Sequence, residues 1–338
     1  MAHTDRPATL RDVATAAGVH PATASRALNP ATRHQVSART AYRVSLEATR
    51  LGYVPNTVAR GLRTSRTAAV GVLIPDLTNP LFPPIVRGIQ DRLEQHGYTA
   101  LLVNTDADEA RERAEFDALR SRRVEGFIVA TARRRHPLLE LAVRERIPFV
   151  TVNRSTELPD VPAVLGDDAD GVAQAVAHLR ALGHTRLAHL AGPQTLSTGH
   201  VRMRAFRAAV PGGAVVECAS YTETAGYDAA RLLFERHPDT TAVLAGNDLI
   251  ALGTLRAIEG LGRCCPADVS VVGFNDMPFA DRFRPPLTTV HVPHHLMGVQ
   301  AAQLLLDHLR AAAPSWSILL PARLVVRGST ARHRPGPT

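Results

Sequence analysis

The sequence predicts a two-part molecule: a small all-α head built on a helix-turn-helix, then a two-lobed α/β core with parallel sheets. Three observations carry this. The first 55 residues read as short capped helices with no strand pattern. From Thr67 onward, short apolar runs alternate with amphipathic helical stretches to near the end of the chain. The charge divides at the same place. Residues 1–66 hold 10 arginines against Asp5, Asp12 and Glu47, a net +7, whereas residues 67–338 hold 29 arginines against 28 acids, a net +1. Lysine is absent.

In the head, Thr9-Leu10-Arg11-Asp12 fits a capping box, with Thr9 as N-cap and Asp12 reaching back. The helix that follows runs to about Ala17, with Leu10, Val13, Ala14 and Ala17 on one face, and Gly18 breaks it. A second helix starts at Pro21, a residue suited to a first helical turn. It carries Ala24, Ala27 and Leu28 inward and stops near Asn29-Pro30. A third runs from about Ser37 to Leu51, with Val44, Ala48 and Leu51 at i, i+4, i+7, and Gly52 ends it. Two short helices about a three-residue turn, braced by a third, describe a helix-turn-helix. Its second helix exposes Ala22, Thr23, Ser25 and Arg26, small and hydroxylic residues with one arginine, which suit entry into a DNA major groove. An ordinary helical hairpin shows the same pattern.

Asn56 can cap one or two further turns. Val58 and Leu62 lie four apart there, on a helix too short to stand alone. Arg60, Arg63 and Arg66 recur every three residues. This segment is expected to order only under a partner. An exposed leucine flanked by arginines suits a wedge into a minor groove; a solvated linker with incidental charges is the alternative.

In the core, strands are expected at Ala68–Ile74, Thr99–Val103, Gly126–Ala130 and Pro148–Val152, with helices at about Leu81–His96 and Glu109–Arg120. A second run follows at Arg186–Leu190, Ala214–Cys218, Thr241–Ala245 and Val269–Phe274. Such alternation means parallel sheets covered on both faces. It is too long for one small sheet, so two lobes are expected, dividing near Asn153–Leu165 and crossing back near Pro285–Val292. A ligand would bind at the carboxyl ends of the strands, in the cleft between lobes.

Composition excludes several classes. Hydrophobic content of 45% and charged content of 21% argue against global disorder. The longest apolar stretches are too short to cross a bilayer, and the first residues lack the apolar segment of a secretory signal. Cys218, Cys264 and Cys265 are an odd number without metal-type spacing, which fits reduced thiols in the cytoplasm. No GxSxG, HExxH, Walker A or GxGxxG motif occurs, so no enzyme, metal or cofactor is expected. His291, His294 and His295 cluster, but no acid or thiol ligand lies beside them in sequence. A transport-type binding protein would share the two lobes but carry a secretion signal and no head. A sugar- or nucleoside-processing enzyme on a DNA anchor would need a nucleophile or paired carboxylates converging on the cleft.

The motifs in order resemble the lactose-repressor (LacI/GalR) family of bacterial transcription regulators. TLRDVATAAGVHPATASRALN resembles its DNA-reading unit, VSARTAYRVSLEATRLGYVPN its third helix and exit, and TVARGL its hinge helix. AAVGVLIPDLTNPLF, RRVEGFIV, ALGHTRLAHLAGP, LAGNDLIALG, SVVGFNDMPFA and PPLTTVHVP follow as landmarks of the regulatory core. The resemblance runs from Thr9 to about Arg327. It implies a periplasmic-binding-protein-like core, a homodimer on a near-palindromic operator, and a small-molecule effector, expected to be a sugar or related metabolite. The partition it implies is 1–55 for the DNA-binding head, 56–66 for hinge helix and linker, and 67–328 for the effector-binding and dimerisation core. The lobes would take about 67–155 plus 286–312 and 156–285 plus 313–328, leaving 329–338 as a disordered tail without the apolar heptads of a tetramer coil.

The resemblance also implies site residues. On DNA it places Thr9, Pro21, Ala22, Thr23, Ser25 and Arg26 at the head, with Arg26 reading guanine or clamping a phosphate and Ala22 meeting a thymine methyl. In the hinge it places Asn56, Ala59, Arg60 and Leu62, the last as the wedge. Two positions depart from the family pattern: His20 stands where a serine cap is usual, so the reading helix is expected to begin less firmly, and Ala24 replaces a valine. In the cleft it implies Asp76, Asn79, Phe82, Arg154, Asp170, Arg202, Asn247 and Asn275, with Asp167 near the crossover. An aromatic ring beneath several hydrogen-bonding groups suits a sugar. Asn275 stands where the family often has aspartate. Asp76, Asp167 and Asp170 could instead satisfy loop backbone.

Overall fold

The computed structural model describes residues 6, 8–29, 32–53, 67–310 and 316–333. The chain divides between Thr67 and Ala68 into two compact units.

The head has three helices, α1 (Leu10–Ala16), α2 (Pro21–Leu28) and α3 (Ala38–Arg50), with a 3-10 turn at Arg33–Gln35. Each start has a physical cause. Thr9 and Asp12 form the reciprocal capping box at α1. Ser37 caps α3 by accepting from the Thr40 amide. At α2, Pro21 opens the helix and the His20 imidazole accepts from the Ala22 amide at 3.2 Å. His20 therefore does cap the reading helix, through Nδ1 where a hydroxyl was expected. Gly18 makes the turn at φ +59°, a left-handed conformation that costs a side-chain-bearing residue more. The core of the head is small: Val13, Ala14, Ala17, Ala24, Ala27, Ala41, Val44 and Ala48 are buried together. Ala24 has no exposure at all, so its methyl fills its place.

The second unit holds two six-stranded sheets. The first lobe contains β1 (Ala69–Ile74), β2 (Thr99–Asn104), β3 (Gly126–Val129), β4 (Phe149–Val152), β5 (Ala163–Gly166) and β11 (Ile318–Leu320), in the order β11-β5-β4-β3-β1-β2. All its pairings are parallel. Its helices are α4 (Phe82–Gln95), α5 (Glu109–Ser121), α6 (Pro137–Arg144) and α11 (His294–Arg310). The second lobe contains β6 (Leu187–Ala191), β7 (Ala214–Glu217), β8 (Ala242–Ala245), β9 (Ser270–Asn275), β10 (Thr288–His291) and β12 (Arg323–Val325), ordered β12-β10-β9-β8-β6-β7. Only the β10–β12 pairing is antiparallel. Its helices are α7 (Asp168–Ala181), α8 (Ser197–Ala209), α9 (Glu223–Arg236) and α10 (Asp248–Gly260). The central strands are buried throughout, β3, β4, β8 and β9 on every residue, which is why they read as unbroken apolar runs.

The lobes exchange chain at three places: β5 to α7, β10 to α11, and β11 to β12. This redraws the expected boundaries. Residues 163–166 and 318–320 pair in the first sheet, and 288–291 pair in the second, because short strands add to sheet edges across the crossovers. The expected disordered tail is also corrected for its described part. Ser329 is fully buried: its carbonyl accepts from the Val271 amide at 2.8 Å and its hydroxyl from the Thr288 amide at 2.8 Å. His333 still donates to the Leu182 carbonyl at 2.8 Å. Among the described residues no helix is long and apolar enough to cross a membrane.

Candidate DNA-reading face and effector cleft

On the head, Ala22 and Arg26 lie one helical turn apart and exposed on α2, with Pro21, Thr23 and Ser25 half-buried beside them. Thr9 is exposed at the start of α1, and its hydroxyl is engaged with Asp12. Those Thr9 bonds, with Arg6 nearby, hold the Asp12 carboxyl below the usual carboxylate range. The two described acids of the head are each taken by an arginine, Asp12 by Arg6 at 3.1 Å and Glu47 by Arg50 at 2.7 Å. Arg11, Arg26, Arg33, Arg39 and Arg43 are exposed with no acid beside them among the described residues. Asn56, Ala59, Arg60 and Leu62 lie outside the described residues.

In the second unit the loops after the strand ends face each other across the cleft. From the first lobe, β1 leads to Asp76 and Asn79, β3 to Thr131 and Arg133, and β4 to Asn153 and Arg154. From the second, β6 leads to Thr198, β7 to Tyr221, β8 to Asn247, and β9 ends on Asn275. The lobes touch at the rim: the Arg134 amide donates to the Thr195 carbonyl at 2.9 Å, and the Ser155 amide to Ser197 Oγ at 2.9 Å. The cleft holds a small chamber of about 10 Å³, room for one water, and a large one of about 440 Å³. Asn79, Arg154 and Tyr221 belong to both.

Arg202, on α8, is buried and held on every side. It donates to Asp168 Oδ1 at 3.0 and 2.8 Å, to the Gly246 carbonyl at 2.7 Å and to Asn275 Oδ1 at 3.5 Å. Its guanidinium lies 3.7 Å from the Phe274 ring centre, a cation–π contact. Burial raises the Asp168 pKa, against the pull of Arg202. Arg154 is equally buried, at 8% exposure, but has no hydrogen bond or ion pair among the described residues, and its Nε is buried without a partner. Burial lowers its pKa to about 10, with Arg202 and Arg133 pressing the same way and Tyr221 and Glu112 opposing.

The amides are oriented by the backbone. Asn79 Oδ1 accepts from the Leu81 amide at 3.1 Å. Asn247 caps α10, its Oδ1 accepting from the Ile250 amide at 2.8 Å. Asn153 and Asn275 sit at φ 65° and 113°, and asparagine tolerates the left-handed region better than most residues. Phe82, 1% exposed, lines the large chamber. Asp76 lines it too, with Oδ1 already accepting from the Thr78 amide and hydroxyl at 2.8 and 2.7 Å.

One expected cleft residue is misplaced. Asp170 is exposed on α7 and accepts from Gln174 at 2.6 Å, while Asp167 caps the helix through the Asp170 amide. Residues two apart on a helix point about 200° apart, so it is Asp168, at 12% side-chain exposure, that faces inward to Arg202. Sequence reasoning also passed over Asn153, Thr198 and Tyr221. The Tyr221 hydroxyl donates to Thr198 Oγ1 at 3.0 Å, and burial raises its pKa. The ring lies where a Cβ on Gly192 would come within 2.3 Å of it, so the glycine of LAGP makes room for the tyrosine. Only that glycine could have signalled it. A further buried network escaped notice: Glu112 accepts from Thr131, from Arg133 at 3.1 Å and bonds His136 at 3.1 Å. The His291, His294 and His295 cluster separates: His291 pairs with Asp276 at 3.1 Å, His295 with Asp91 at 2.9 Å, and His294 is buried.

Residues 9–56 match the family described as bacterial regulatory proteins, lacI family, and residues 67–326 match the periplasmic binding proteins and sugar binding domain of LacI family. The chain belongs to the LacI family of bacterial regulatory proteins. It is 33% identical over 334 residues to the ribose operon repressor of Bacillus subtilis strain 168, covering 96% of this chain and 99% of that repressor. Among solved structures it is similar to the lac repressor dimer bound to operator and the anti-inducer ONPF, with TM-score 0.83, 28% identity, and coverage of 96% and 100%. A LacI family transcriptional regulator from Enterococcus faecium with bound ribose matches with TM-score 0.69, 30% identity, and coverage of 79% and 100%. This LacI-family protein is thus a DNA-binding transcriptional regulator.

Proposed function

We propose that this LacI-family protein is a cytoplasmic repressor that grips a near-palindromic operator as a homodimer, with no catalytic activity, and that a sugar or related metabolite closing the core cleft changes its operator affinity. On DNA, Arg26 reads a base edge and Ala22 meets a thymine methyl, flanked by Thr9, Pro21, Thr23 and Ser25. Asn56, Ala59, Arg60 and Leu62 act from the hinge, Leu62 as the wedge. In the cleft, Asp76, Asn79, Phe82, Arg154, Arg202, Asn247 and Asn275 hold the effector. The observation that carries this is the facing of guanidinium, amide, hydroxyl and aromatic groups from both lobes across one enclosed cleft. Such a set can pair with ligand oxygens from both sides at once. The operator-bound lac repressor and the ribose-bound regulator support the two halves of the reading.

A ligand shifts operator affinity only through its different affinities for the open and closed core. Titrating operator DNA with the full chain, with and without a panel of sugars and their derivatives, tests the reading. A metabolite that loosens binding is an inducer and one that tightens it a corepressor; operator affinity unmoved by the whole panel overturns the effector role. Arg26→Ala should relax preference at one base pair per half-site by about 1–3 kcal/mol across a site library.

A further inference from the structure

We infer that the effector carries an anionic group, a carboxylate or a phosphate, which seats against Arg154 in the small chamber. This rests on the cleft being the effector site.

Two independent observations point to it. The first is charge. Arg202 has Asp168, and Arg133 has Glu109 and Glu112, at 2.8 and 3.1 Å. Glu112 is already shared among Thr131, Arg133 and His136. Arg154 alone is a buried guanidinium with no counter-ion in contact, and no carboxylate lines the chamber it faces. A neutral ligand would leave that charge buried and unneutralised; an anion would neutralise it through charge-assisted hydrogen bonds.

The second is the sense of the hydrogen bonds. The side-chain oxygens of three amides around the chamber are occupied, Asn79 by the Leu81 amide, Asn247 by the Ile250 amide and Asn275 by Arg202. Backbone donors fix the orientation of the first two. Each amide therefore has its NH2 left to offer, beside the Arg154 guanidinium. This wall is rich in donors and poor in acceptors. Sugar hydroxyls need both; a carboxylate or phosphate needs donors only.

The test is calorimetry on the full chain with matched ligands: D-ribose, D-ribonate and D-ribose 5-phosphate; D-glucose, D-glucuronate and D-glucose 6-phosphate. In at least one series the charged member should bind on the order of tenfold or more tighter than its neutral parent. Preference for the acids or for the phosphates tells which anion the seat takes. Arg154→Gln should remove most of that advantage. An undiminished advantage in a folded variant would put the anion elsewhere and overturn the seat. The wild-type comparison stands even if the variant does not fold. Neutral parents binding as tightly as their charged partners overturns the inference and leaves the effector cleft standing. If no member binds and a wider panel of neutral and anionic metabolites leaves operator affinity unmoved, the cleft reading itself fails, and this inference with it.

Discussion

The head and the core use the same side chain in opposite ways. Arginine is the only strong base in the chain. In the head, Arg11, Arg26, Arg33, Arg39 and Arg43 are exposed with no acid beside them. In the core cleft, Arg202 is buried and tied to Asp168, Gly246 and Asn275, and Arg133 is tied to two glutamates. An exposed surplus attracts a polyanion at long range and is screened by salt. A buried, paired guanidinium attracts nothing at range; it fixes geometry. Arg154 belongs to neither group, because it is buried like the one and unpaired like the other.

The largest effect that would sharpen this contrast is in salt. If the head's arginines release counterions from operator phosphates, raising salt from about 50 to 200 mM should weaken operator binding by roughly three orders of magnitude or more. Effector binding in the enclosed cleft should move far less over the same range. Operator affinity flat in salt would break the contrast.

Stability should respond in the opposite sense. Arg202→Met leaves Asp168 buried without its partner, which should lower the core's unfolding free energy by about 3–5 kcal/mol. Adding Asp168→Asn should recover part of the loss. Arg26→Ala, on the exposed face of α2, should change stability by no more than about 0.5 kcal/mol. Denaturant unfolding of the full chain measures all three. An Arg202 variant as stable as the parent would mean that the brace is dispensable.

How far the sequence could be read follows the same division between regular and irregular backbone. The head was legible because caps and apolar spacing act locally: Thr9, Asp12 and Pro21 mark helix starts without reference to the rest of the chain. The central strands were legible because both their faces are buried. The edge strands β5, β10, β11 and β12, of three or four residues, were not, since their pairing is set by partners more than 100 residues away for β11 with β5. In the cleft, the residues flagged after strand ends do gather, except Asp170, where helix phase decides which aspartate of the Asp167–Asp170 run faces in. Tyr221 was hidden because its place depends on contact with Thr198 and Gly192, which no spacing encodes.

The smallest effect tests the one local reading that the structure reversed. A histidine at the start of α2 looked like a weaker cap, yet its Nδ1 accepts from the Ala22 amide as a hydroxyl would. The first amides of any helix lack intrahelical partners, and any correctly placed acceptor satisfies one. His20→Ala should therefore destabilise the head by about 1 kcal/mol, and His20→Ser should restore it. Because α2 also carries Ala22 and Arg26, the alanine variant should weaken operator binding by a similar small margin while leaving base preference unchanged. Unfolding and operator titration of the two variants side by side decide the matter: if alanine equals serine in both, the imidazole contact contributes nothing and Pro21 alone starts the reading helix.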